Sequence, residues 1–409
     1  MSRQVRLALC GAGMRGQFSY APYALRCPGE AKFVAVAEPN DARREKFVRE
    51  HAIAPTGIFA DYRDMLKGPV LAEALMICTM DNDHVEPAMM ALEAGYRHIL
   101  LEKPIDKDME KCGRLVRAAQ AAKANVQVCH SLRYTRFYRR VREIIEGGRL
   151  GKVVSLSHVE GVGYYHQAHS FVRGNWANSD ESSPMILQKC CHDTDLLLYL
   201  TGKHCKSISS YGALSFFKAE NAPEHSAERC IDCVVRDECP YNAATIYAPG
   251  GHWSSGATWE REGYSSLSEM LREGRLGRCA FRCGNNVVDH QVVNMLFEED
   301  VTASMTMSAF THKMGRETRI MCTRGEIYAD LEASTIRIHE FVADDEQIIK
   351  VTAGPSGHSG ADEMMVRDFL GSVVGDMEPV TDIARSVESH RMAMAAEQSM
   401  RECRTIALD

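Results

Sequence analysis

The sequence has no apolar run long enough to cross a bilayer, which takes about 20 consecutive apolar residues. The stretch from Met1 to Arg6 also lacks the layout of a signal peptide and leads directly into an apolar run. Basic residues are not in excess, because 48 Lys and Arg stand against 55 Asp and Glu for a net charge of −7. That balance offers no attraction to nucleic acid or anionic membranes. We therefore expect a cytoplasmic protein with no nucleic-acid or membrane partner.

At 409 residues the chain is too long for one ordinary core, so two domains are expected. Short apolar runs alternate with longer helical patterns in the first third of the chain. The runs that we predict as strands cover residues 5–10, 33–38, 74–79, 98–102 and 126–130. Apolar strands alternating with helices predict a doubly wound parallel sheet. Residues 1–130 are therefore predicted to form an α/β Rossmann domain that binds a nucleotide.

Beyond that domain the pattern changes to many strands with few helices between them. This predicts an α+β domain over residues 131–409, with a large and mostly antiparallel sheet. Residues 219–283 interrupt the strand pattern and are rich in Gly, Ser, Glu, Arg and Cys. They are too long for a plain loop, so we expect an insertion with a role of its own.

A G-x-G-x-x-G motif follows the first predicted strand and opens a helix: Gly11, Ala12, Gly13, Met14, Arg15 and Gly16. In this motif the first glycine permits a tight turn and the second lets the backbone approach a pyrophosphate. The third glycine allows the helix to pack closely on the strand. The helix N-terminus then faces the phosphate charge. The motif predicts a dinucleotide site.

Glu38 lies at the end of the second predicted strand, 22 residues after Gly16. A carboxylate there can bind the ribose hydroxyls and would repel a 2′-phosphate, which favours NAD over NADP. Arg43 and Arg44 follow closely and leave NADP as the less favoured alternative.

Glu102-Lys103-Pro104 follows the fourth predicted strand. Together with the glycine motif it resembles the Gfo/Idh/MocA family, which contains glucose–fructose oxidoreductases, inositol dehydrogenases and their relatives. The resemblance extends over nearly the whole chain. It includes Thr79 and His84 after the third strand, a helix carrying His192 and Asp195, and a turn at residues 357–362.

The resemblance implies a hydride transfer between NAD and a hydroxyl-bearing carbon of a sugar, sugar derivative or cyclitol. It also implies a homodimer or homotetramer. The cofactor contacts that it implies, beyond the glycine motif and Glu38, are Thr79, His84, Glu102, Lys103 and Arg133. The substrate contacts are Lys103, Tyr164, Tyr165, His166, Lys189 and His192.

Lys103, His192 and Asp195 are the predicted catalytic residues. Lys103 follows the carboxyl end of a strand, where open α/β sheets bind ligands. It can shuttle a proton or donate a hydrogen bond to the substrate oxygen. His192 is the predicted general acid–base, and Asp195, three residues later, could orient its ring or bind the substrate.

The chain departs from the family pattern at Gln188, where relatives often carry an aspartate four residues before the histidine. Glutamine cannot accept a proton, so a Lys–Asp–His relay is in doubt. Asp193, Lys189 or Asp195 could take its place, or the proton could leave by another route. The alternative function is an NAD-dependent glycosidase that oxidises a ring hydroxyl transiently and then eliminates the aglycone. A third reading is a nicotinamide-sensing protein, which would have no need of Lys103 or His192.

Five of the 15 cysteines are clustered in the insertion: Cys230, Cys233, Cys239, Cys279 and Cys283. Two cysteines at C-x2-C spacing can share a metal ion, and a second pair about 40 residues later could complete its ligands. The candidates are a structural zinc ion or an iron–sulfur cluster. The alternative is a set of free thiols packed in a core.

Overall fold

The computed structural model of the chain describes residues 3–253, 258–343, 345–352, 354 and 360–408. The chain divides into two compact units. The first contains residues 1–149, 191–203 and 350–394, and the second contains residues 150–190, 204–349 and 395–409. The predicted turn at residues 357–362 lies largely outside the described residues.

The first unit contains a six-stranded sheet in the order β3-β2-β1-β4-β5-β6, with every pair parallel. Its strands are β1 Val5–Cys10, β2 Ala31–Ala37, β3 Ile58–Phe59, β4 Ala74–Ile77, β5 His98–Leu101 and β6 Asn125–Val128. The strand order reverses direction beside β1, as in a Rossmann fold. The predicted Rossmann architecture is confirmed.

Seven α-helices of the described chain lie wholly within this unit, and the first five of them connect its strands. They are α1 Pro22–Arg26, α2 Asp41–His51, α3 Tyr62–Lys67, α4 Val85–Ala94, α5 Met109–Ala121, α6 Arg136–Glu146 and α12 Ala361–Val374. Two hydrophobic clusters pack against the sheet, and β1 contributes alternate residues to them: Leu7 and Leu9 to one, Ala8 and Cys10 to the other. Burial from both faces explains why these strands are continuous apolar runs.

The second unit contains a nine-stranded sheet in the order β14-β13-β12-β11-β7-β10-β9-β8-β15. Its strands are β7 Val153–Gly161, β8 Cys205–Ala213, β9 His290–Phe297, β10 Thr302–Ser308, β11 Gly315–Cys322, β12 Gly325–Asp330, β13 Thr335–Glu340, β14 Asp345–Lys350 and β15 Ile406–Ala407. β7 and β10 pair in parallel, while the neighbouring pairs around them are antiparallel. The predicted mostly antiparallel sheet is confirmed.

Short helices accompany this sheet. They are α7 Tyr164–His166, α9 Ala243–Tyr247, α10 Thr258–Arg261 and α11 Leu267–Glu273. The last three lie in the insertion, which packs its own hydrophobic cluster around residues such as Tyr241, Met270 and Phe281. Two longer helices, α8 Met185–Thr201 and α13 Ile383–Glu402, contribute residues to both units. Within the described ranges, none of the helices has the length and apolar character needed to cross a membrane.

Candidate active site

The glycine motif forms the turn after β1. Gly11 has a φ of +88°, and a Cβ on it would lie 2.5 Å from the carbonyl oxygen of Cys78. A Cβ on Gly16 would lie 2.2 Å from the carbonyl oxygen of Gly11. A Cβ on Gly13 would meet no atom of the described chain within 4 Å. Of the three motif glycines, Gly13 is therefore the one that faces open space in the described chain, as the motif requires where a pyrophosphate approaches.

Glu38, directly after β2, is bound to the same loop. Its Oε2 accepts the backbone N–H of Ala12 at 2.7 Å, and its Oε1 accepts the N–H of Asn40 at 3.0 Å. Arg44 donates to the carbonyl oxygen of Glu38 at 2.6 Å and forms an ion pair with Asp41. The glycine loop and the acidic residue thus form one site, and the Arg44 guanidinium is paired locally.

Arg15 links the glycine loop to the end of β5. Its Nε donates to Oε1 of Glu102 at 2.7 Å, and its two terminal nitrogens donate to the carboxylate of Asp362 at 3.0 and 2.9 Å. Burial alone would raise the pKa of Glu102, but the charges of Arg15 and Lys103 outweigh it and lower that pKa. Glu102 is therefore held as a carboxylate between the loop and Lys103.

Lys103 follows Glu102 and begins a turn with a cis peptide bond to Pro104. Its backbone N–H donates to Oε2 of Glu102 at 2.9 Å. The predicted cofactor residues Thr79 and His84 lie near this turn. The Thr79 hydroxyl donates to the carbonyl oxygen of Asp83 at 2.5 Å, while the His84 ring contacts the carbonyl oxygens of Thr79 and Pro104. Their contacts with NAD stay predictions.

His192 lies in a buried group of histidines in the same unit. The rings of His192 and His130 meet edge to face, with centroids 5.9 Å apart, and the ring of His390 lies 5.6 Å from that of His130. Burial lowers the pKa of His130 well below its usual range, and the charges of Arg133 and Lys103 add to that shift. His130 is therefore neutral at physiological pH.

Asp195 is bound by Arg133. The guanidinium donates to Oδ2 of Asp195 at 2.7 Å and to Oδ1 at 2.8 Å, and both side chains are buried. Nε2 of the neutral His130 lies 4.0 Å from Oδ1 of Asp195. The structure thus pairs two predicted site residues with each other, and the predicted action of Asp195 on the His192 ring stays a prediction.

The predicted substrate residues of the second unit belong to an aromatic group. Tyr165 stacks on His252 with ring centroids 4.8 Å apart, and His166 stacks on Trp253 at 5.0 Å. Tyr164 meets the edge of Tyr165 at 5.4 Å. Stacked aromatic rings with polar edges suit the apolar faces and polar rims of sugar rings.

Lys189 lies in an ion-pair group with Glu160. Its Nζ is 3.1 Å from Oε1 of Glu160, and Nε of Arg316 is 2.9 Å from Oε2 of the same carboxylate. Two cations thus share one buried carboxylate.

Comparisons with known proteins agree with this geometry. The profile described as "Oxidoreductase family, NAD-binding Rossmann fold" matches residues 5–130. The profile described as "Oxidoreductase family, C-terminal alpha/beta domain" matches residues 142–408. The chain belongs to the Gfo/Idh/MocA oxidoreductase family.

Three proteins similar to this chain share between 17% and 27% of its residues in the aligned regions. The Bacillus subtilis protein YteT is 23% identical over 80% of this chain and 78% of its own length. The scyllo-inositol 2-dehydrogenase (NAD(+)) of Bacillus subtilis is 27% identical, over 52% of this chain and 59% of that enzyme. A structure of scyllo-inositol dehydrogenase from Lactobacillus casei, with NAD(H) and scyllo-inositol bound, superposes with a TM-score of 0.69 at 17% identity and covers 99% of both chains. At that identity the superposition shows the shared fold.

In each unit taken by itself, several partners of the predicted site residues are not marked by the sequence. Ser389 and His390 on α13 contact the His130 group, and His252 and Trp253 stack on the predicted aromatic residues. The sequence pattern marks Asp362 only as part of a turn, whereas in the structure its carboxylate forms an ion pair with Arg15. No local motif marks these residues, since each lies far along the chain from its partner.

The clustered cysteines converge in the insertion as thiols. Cys230, Cys233, Cys239 and Cys279 line one cavity of about 20 Å³, and the N–H of Cys279 donates to the carbonyl oxygen of Glu228 at 2.8 Å. Burial raises the pKa of Cys239, Cys279 and Cys283, which favours neutral thiols. Among the described residues, no three His, Cys, Asp or Glu side chains are arranged to hold a metal ion. The structure therefore does not support the predicted zinc ion or iron–sulfur cluster.

Proposed function

We propose that this oxidoreductase transfers a hydride between NAD and a hydroxyl-bearing carbon of a sugar, sugar derivative or cyclitol. The observation that carries the proposal is the Arg15–Glu102 ion pair, which joins the glycine loop to the strand end that presents Lys103. A nucleotide-binding loop and a candidate proton-transfer lysine are thus joined by adjacent side chains in one unit. Ligands of open α/β sheets bind at this edge.

The chemistry requires a proton to leave the hydroxyl as the hydride leaves its carbon. His192 is the proposed general acid–base, because an imidazole titrates near neutrality. Lys103 is the proposed donor to the substrate oxygen, where an ammonium stabilises developing negative charge. Bound NAD supplies the hydride acceptor or donor.

The identity of the cofactor rests on Glu38. Its carboxylate is 4% exposed and is bound to the N–H of Ala12 within the glycine loop. A fixed negative charge there favours ribose hydroxyls and repels a 2′-phosphate. The site residues that we assign to NAD are the glycine motif, Glu38, Thr79, Glu102, Lys103 and Arg133.

The substrate class rests on two observations. Relatives of this chain include an inositol 2-dehydrogenase of Pseudomonas savastanoi and the scyllo-inositol 2-dehydrogenase of Bacillus subtilis. The aromatic group at Tyr164, Tyr165 and His166 suits a ring with hydroxyls at its rim. We assign these three residues, with Lys103, Lys189 and His192, to substrate binding.

Product analysis tests the proposal. The intact protein would be incubated with NAD⁺ and a panel of myo-inositol, scyllo-inositol, glucose and aryl glucosides, while nicotinamide absorbance and NMR spectra are followed. Accumulation of NADH with a ketone or lactone supports the dehydrogenase. Release of an aglycone that needs NAD⁺ but accumulates no NADH would identify the redox-assisted glycosidase instead. Binding of NAD⁺ without turnover of any substrate would point to the sensor.

We also propose that the protein is a homo-oligomer through the outer face of the nine-stranded sheet. β9 and β10 alternate between buried residues and more exposed ones. On the exposed face Val292, 38% exposed, lies between Tyr211 and Thr306, and Val159 continues the row beyond Thr306. Such an open face is covered in many proteins by a second copy. Sedimentation velocity tests this, and a monomer at micromolar concentration contradicts it.

A further inference from the structure

The peptide bond between Pro104 and Ile105 is held at both of its polar ends by buried imidazoles. Nδ1 of His84 lies 2.5 Å from the carbonyl oxygen of Pro104. The N–H of Ile105 donates to Nε2 of His390 at 2.8 Å. This peptide begins one residue after Lys103, so two side chains from distant parts of the sequence fix the turn that carries the lysine.

His390 is fixed in one tautomer by its surroundings. Since Nε2 accepts the N–H of Ile105, the ring proton lies on Nδ1, which is 3.0 Å from the carbonyl oxygen of Ser386 and 3.2 Å from Oγ of Ser389. Burial lowers the pKa of His390 to about 3, so the acceptor nitrogen keeps its lone pair at physiological pH. The histidine can therefore hold the amide throughout the working range of the enzyme.

His84 holds the carbonyl end of the same peptide bond as a hydrogen-bond donor. Both of its ring nitrogens face carbonyl oxygens, that of Pro104 and, at 3.0 Å, that of Thr79. Carbonyl oxygens only accept hydrogen bonds, so His84 acts as a donor, and the shorter contact assigns a proton to Nδ1. The ring is 1% exposed, and its contact fixes the direction of the Pro104 carbonyl.

The amide on the other side of Lys103 is fixed as well. The N–H of Lys103 donates to Oε2 of Glu102, whose other oxygen is bound by Arg15 of the glycine loop. Each backbone hydrogen bond just described is made to a side chain rather than to a neighbouring strand. Three side chains, Glu102, His84 and His390, thus hold the backbone of the turn around Lys103.

We propose that His84 and His390 are positioning residues that set the Lys103 ammonium against the reacting oxygen. The inference rests on the proposed function of Lys103 and goes beyond it, because it reassigns His84 from cofactor binding and adds a residue of the last helix to the catalytic machinery. A shift of the lysine by about 1 Å can cost about 100-fold in turnover. The cost falls on kcat rather than on NAD binding, since neither histidine is needed to form the glycine loop.

Paired substitutions separate positioning from simple packing. His84→Ala removes the donor, whereas His84→Asn places an amide nitrogen close to the position of Nδ1 and keeps it. His390→Met fills the space without an acceptor, whereas His390→Gln places an oxygen close to the position of Nε2. Turnover would be measured with NAD⁺ and the panel polyol that the wild type oxidises fastest, together with NAD⁺ affinity by fluorescence quenching.

The expected result is an approximately 100-fold lower kcat for H84A and H390M, with the Kd for NAD⁺ unchanged within about twofold. H84N and H390Q should keep kcat within about threefold of wild type. If the Ala and Met variants do not fold, the isosteric variants H84N and H84D replace them. Aspartate has the shape of asparagine but lacks the donor, so H84D should lose the turnover that H84N keeps. Unchanged kcat in the variants that lack the bond, or an equal loss in the conservative pair, overturns the proposal.

Amide hydrogen exchange of the peptide covering residues 102–106 separates this inference from the proposed function. Faster exchange in H390M than in H390Q is expected, since the Ile105 amide loses its acceptor. Equal exchange overturns the proposed clamp, by which we mean the hold of His84 and His390 on the Pro104–Ile105 peptide, whatever the activity. If the wild type turns over no panel substrate while the exchange difference is present, the proposed function fails and the clamp stands. If the wild type oxidises a panel substrate and H84A and H390M keep its kcat, the clamp is rejected and the proposed function stands.

Discussion

Arg133 and Asp195 form a buried, two-pronged ion pair, with the guanidinium Nε and a terminal nitrogen 2.7 and 2.8 Å from the two carboxylate oxygens. Arg133 follows β6 and Asp195 lies on α8, so the pair fixes the helix that presents His192. Burial raises the pKa of Asp195, and the charge of Arg133 opposes that rise. The Arg133–Asp195 pair therefore helps to fix the position of His192 on α8.

Removing one partner of this pair leaves a buried charge uncompensated. We expect Arg133→Ala to lower the free energy of unfolding by about 3–5 kcal/mol. Arg140→Ala serves as the control, since Arg140 pairs with Glu143 on the exposed side of α6 and should cost less than about 1 kcal/mol. Urea unfolding followed by circular dichroism measures both. If both variants lose a similar amount of unfolding free energy, Asp195 is not both buried and ionised in the folded protein.

The glycines of the loop should respond differently to a methyl group. Gly13→Ala meets no neighbouring atom in the described chain, so it should fold normally and weaken NAD⁺ binding by at least about tenfold. Gly16→Ala places a Cβ 2.2 Å from a backbone carbonyl and should destabilise the first unit. Isothermal titration with NAD⁺ and thermal melting distinguish the two. Wild-type NAD⁺ affinity in G13A contradicts the assignment of the phosphate site.

The cofactor preference should depend on the charge of Glu38. Glu38→Gln keeps an oxygen for the Ala12 N–H but removes the negative charge, so the ratio of NAD⁺ to NADP⁺ affinity should fall by about tenfold or more. Fluorescence quenching with each nucleotide measures the ratio. Glu45→Gln on the exposed side of α2 is the matched control and should leave the ratio unchanged. An unaltered ratio in E38Q would place the ribose elsewhere.

Buried neutral histidines should make the protein less stable in acid. The ordinary histidine pKa is 6.5, and burial, reinforced by His130, lowers the folded-state pKa of His390 to about 3. Between these values only the unfolded chain binds the proton, so stability is present above pH 6.5 and is lost as the pH falls, by about 1.4 kcal/mol per pH unit for this group. Asp195 and Lys103 are the other charges that affect this ring.

Urea unfolding between pH 7 and pH 5 checks the slope. His390→Gln cannot titrate and should show a shallower dependence than wild type by about that amount per pH unit. An identical slope in the two proteins would mean that His390 is already protonated or is accessible to water.

The clustered cysteines should titrate as ordinary thiols. None of the fifteen cysteines, all of which lie among the described residues, forms a disulfide in the structure, so purified protein unfolded without reductant should yield fifteen reactive thiols per chain with Ellman's reagent. Metal analysis of the same sample is expected to find no stoichiometric zinc or iron. A molar equivalent of either metal that disappears in Cys230→Ser but persists in Cys322→Ser would restore the metal interpretation.

Local patterns in the sequence predict the Rossmann unit well. The predicted strands at residues 5–10, 74–79 and 98–102 correspond to β1, β4 and β5, because strands buried on both faces are continuous apolar runs bounded by turns. The glycine motif and Glu38 could be joined because their spacing is characteristic of one supersecondary unit.

Pairings between distant parts of the chain could not be read in the same way. Helical spacing suggested Asp195 as the partner of His192, yet its carboxylate binds Arg133, 62 residues earlier. His390 lies 285 residues from Ile105, whose N–H it binds as acceptor. Such contacts depend on how helices dock in three dimensions, and nothing in the surrounding residues encodes them. The cysteine spacing suggested a metal that the geometry does not support, although four of the five clustered cysteines line one cavity.

The composition of the first unit from three separate stretches has a consequence for biosynthesis. Arg15 binds Asp362 across 347 residues, and the N–H of Ile105 donates to His390, which lies 285 residues later in the sequence. The ribosome therefore exposes the glycine loop and the Lys103 turn long before it makes the residues that hold them. Until those residues emerge, the nucleotide-binding half carries uncovered apolar surface, which makes a nascent chain prone to aggregation.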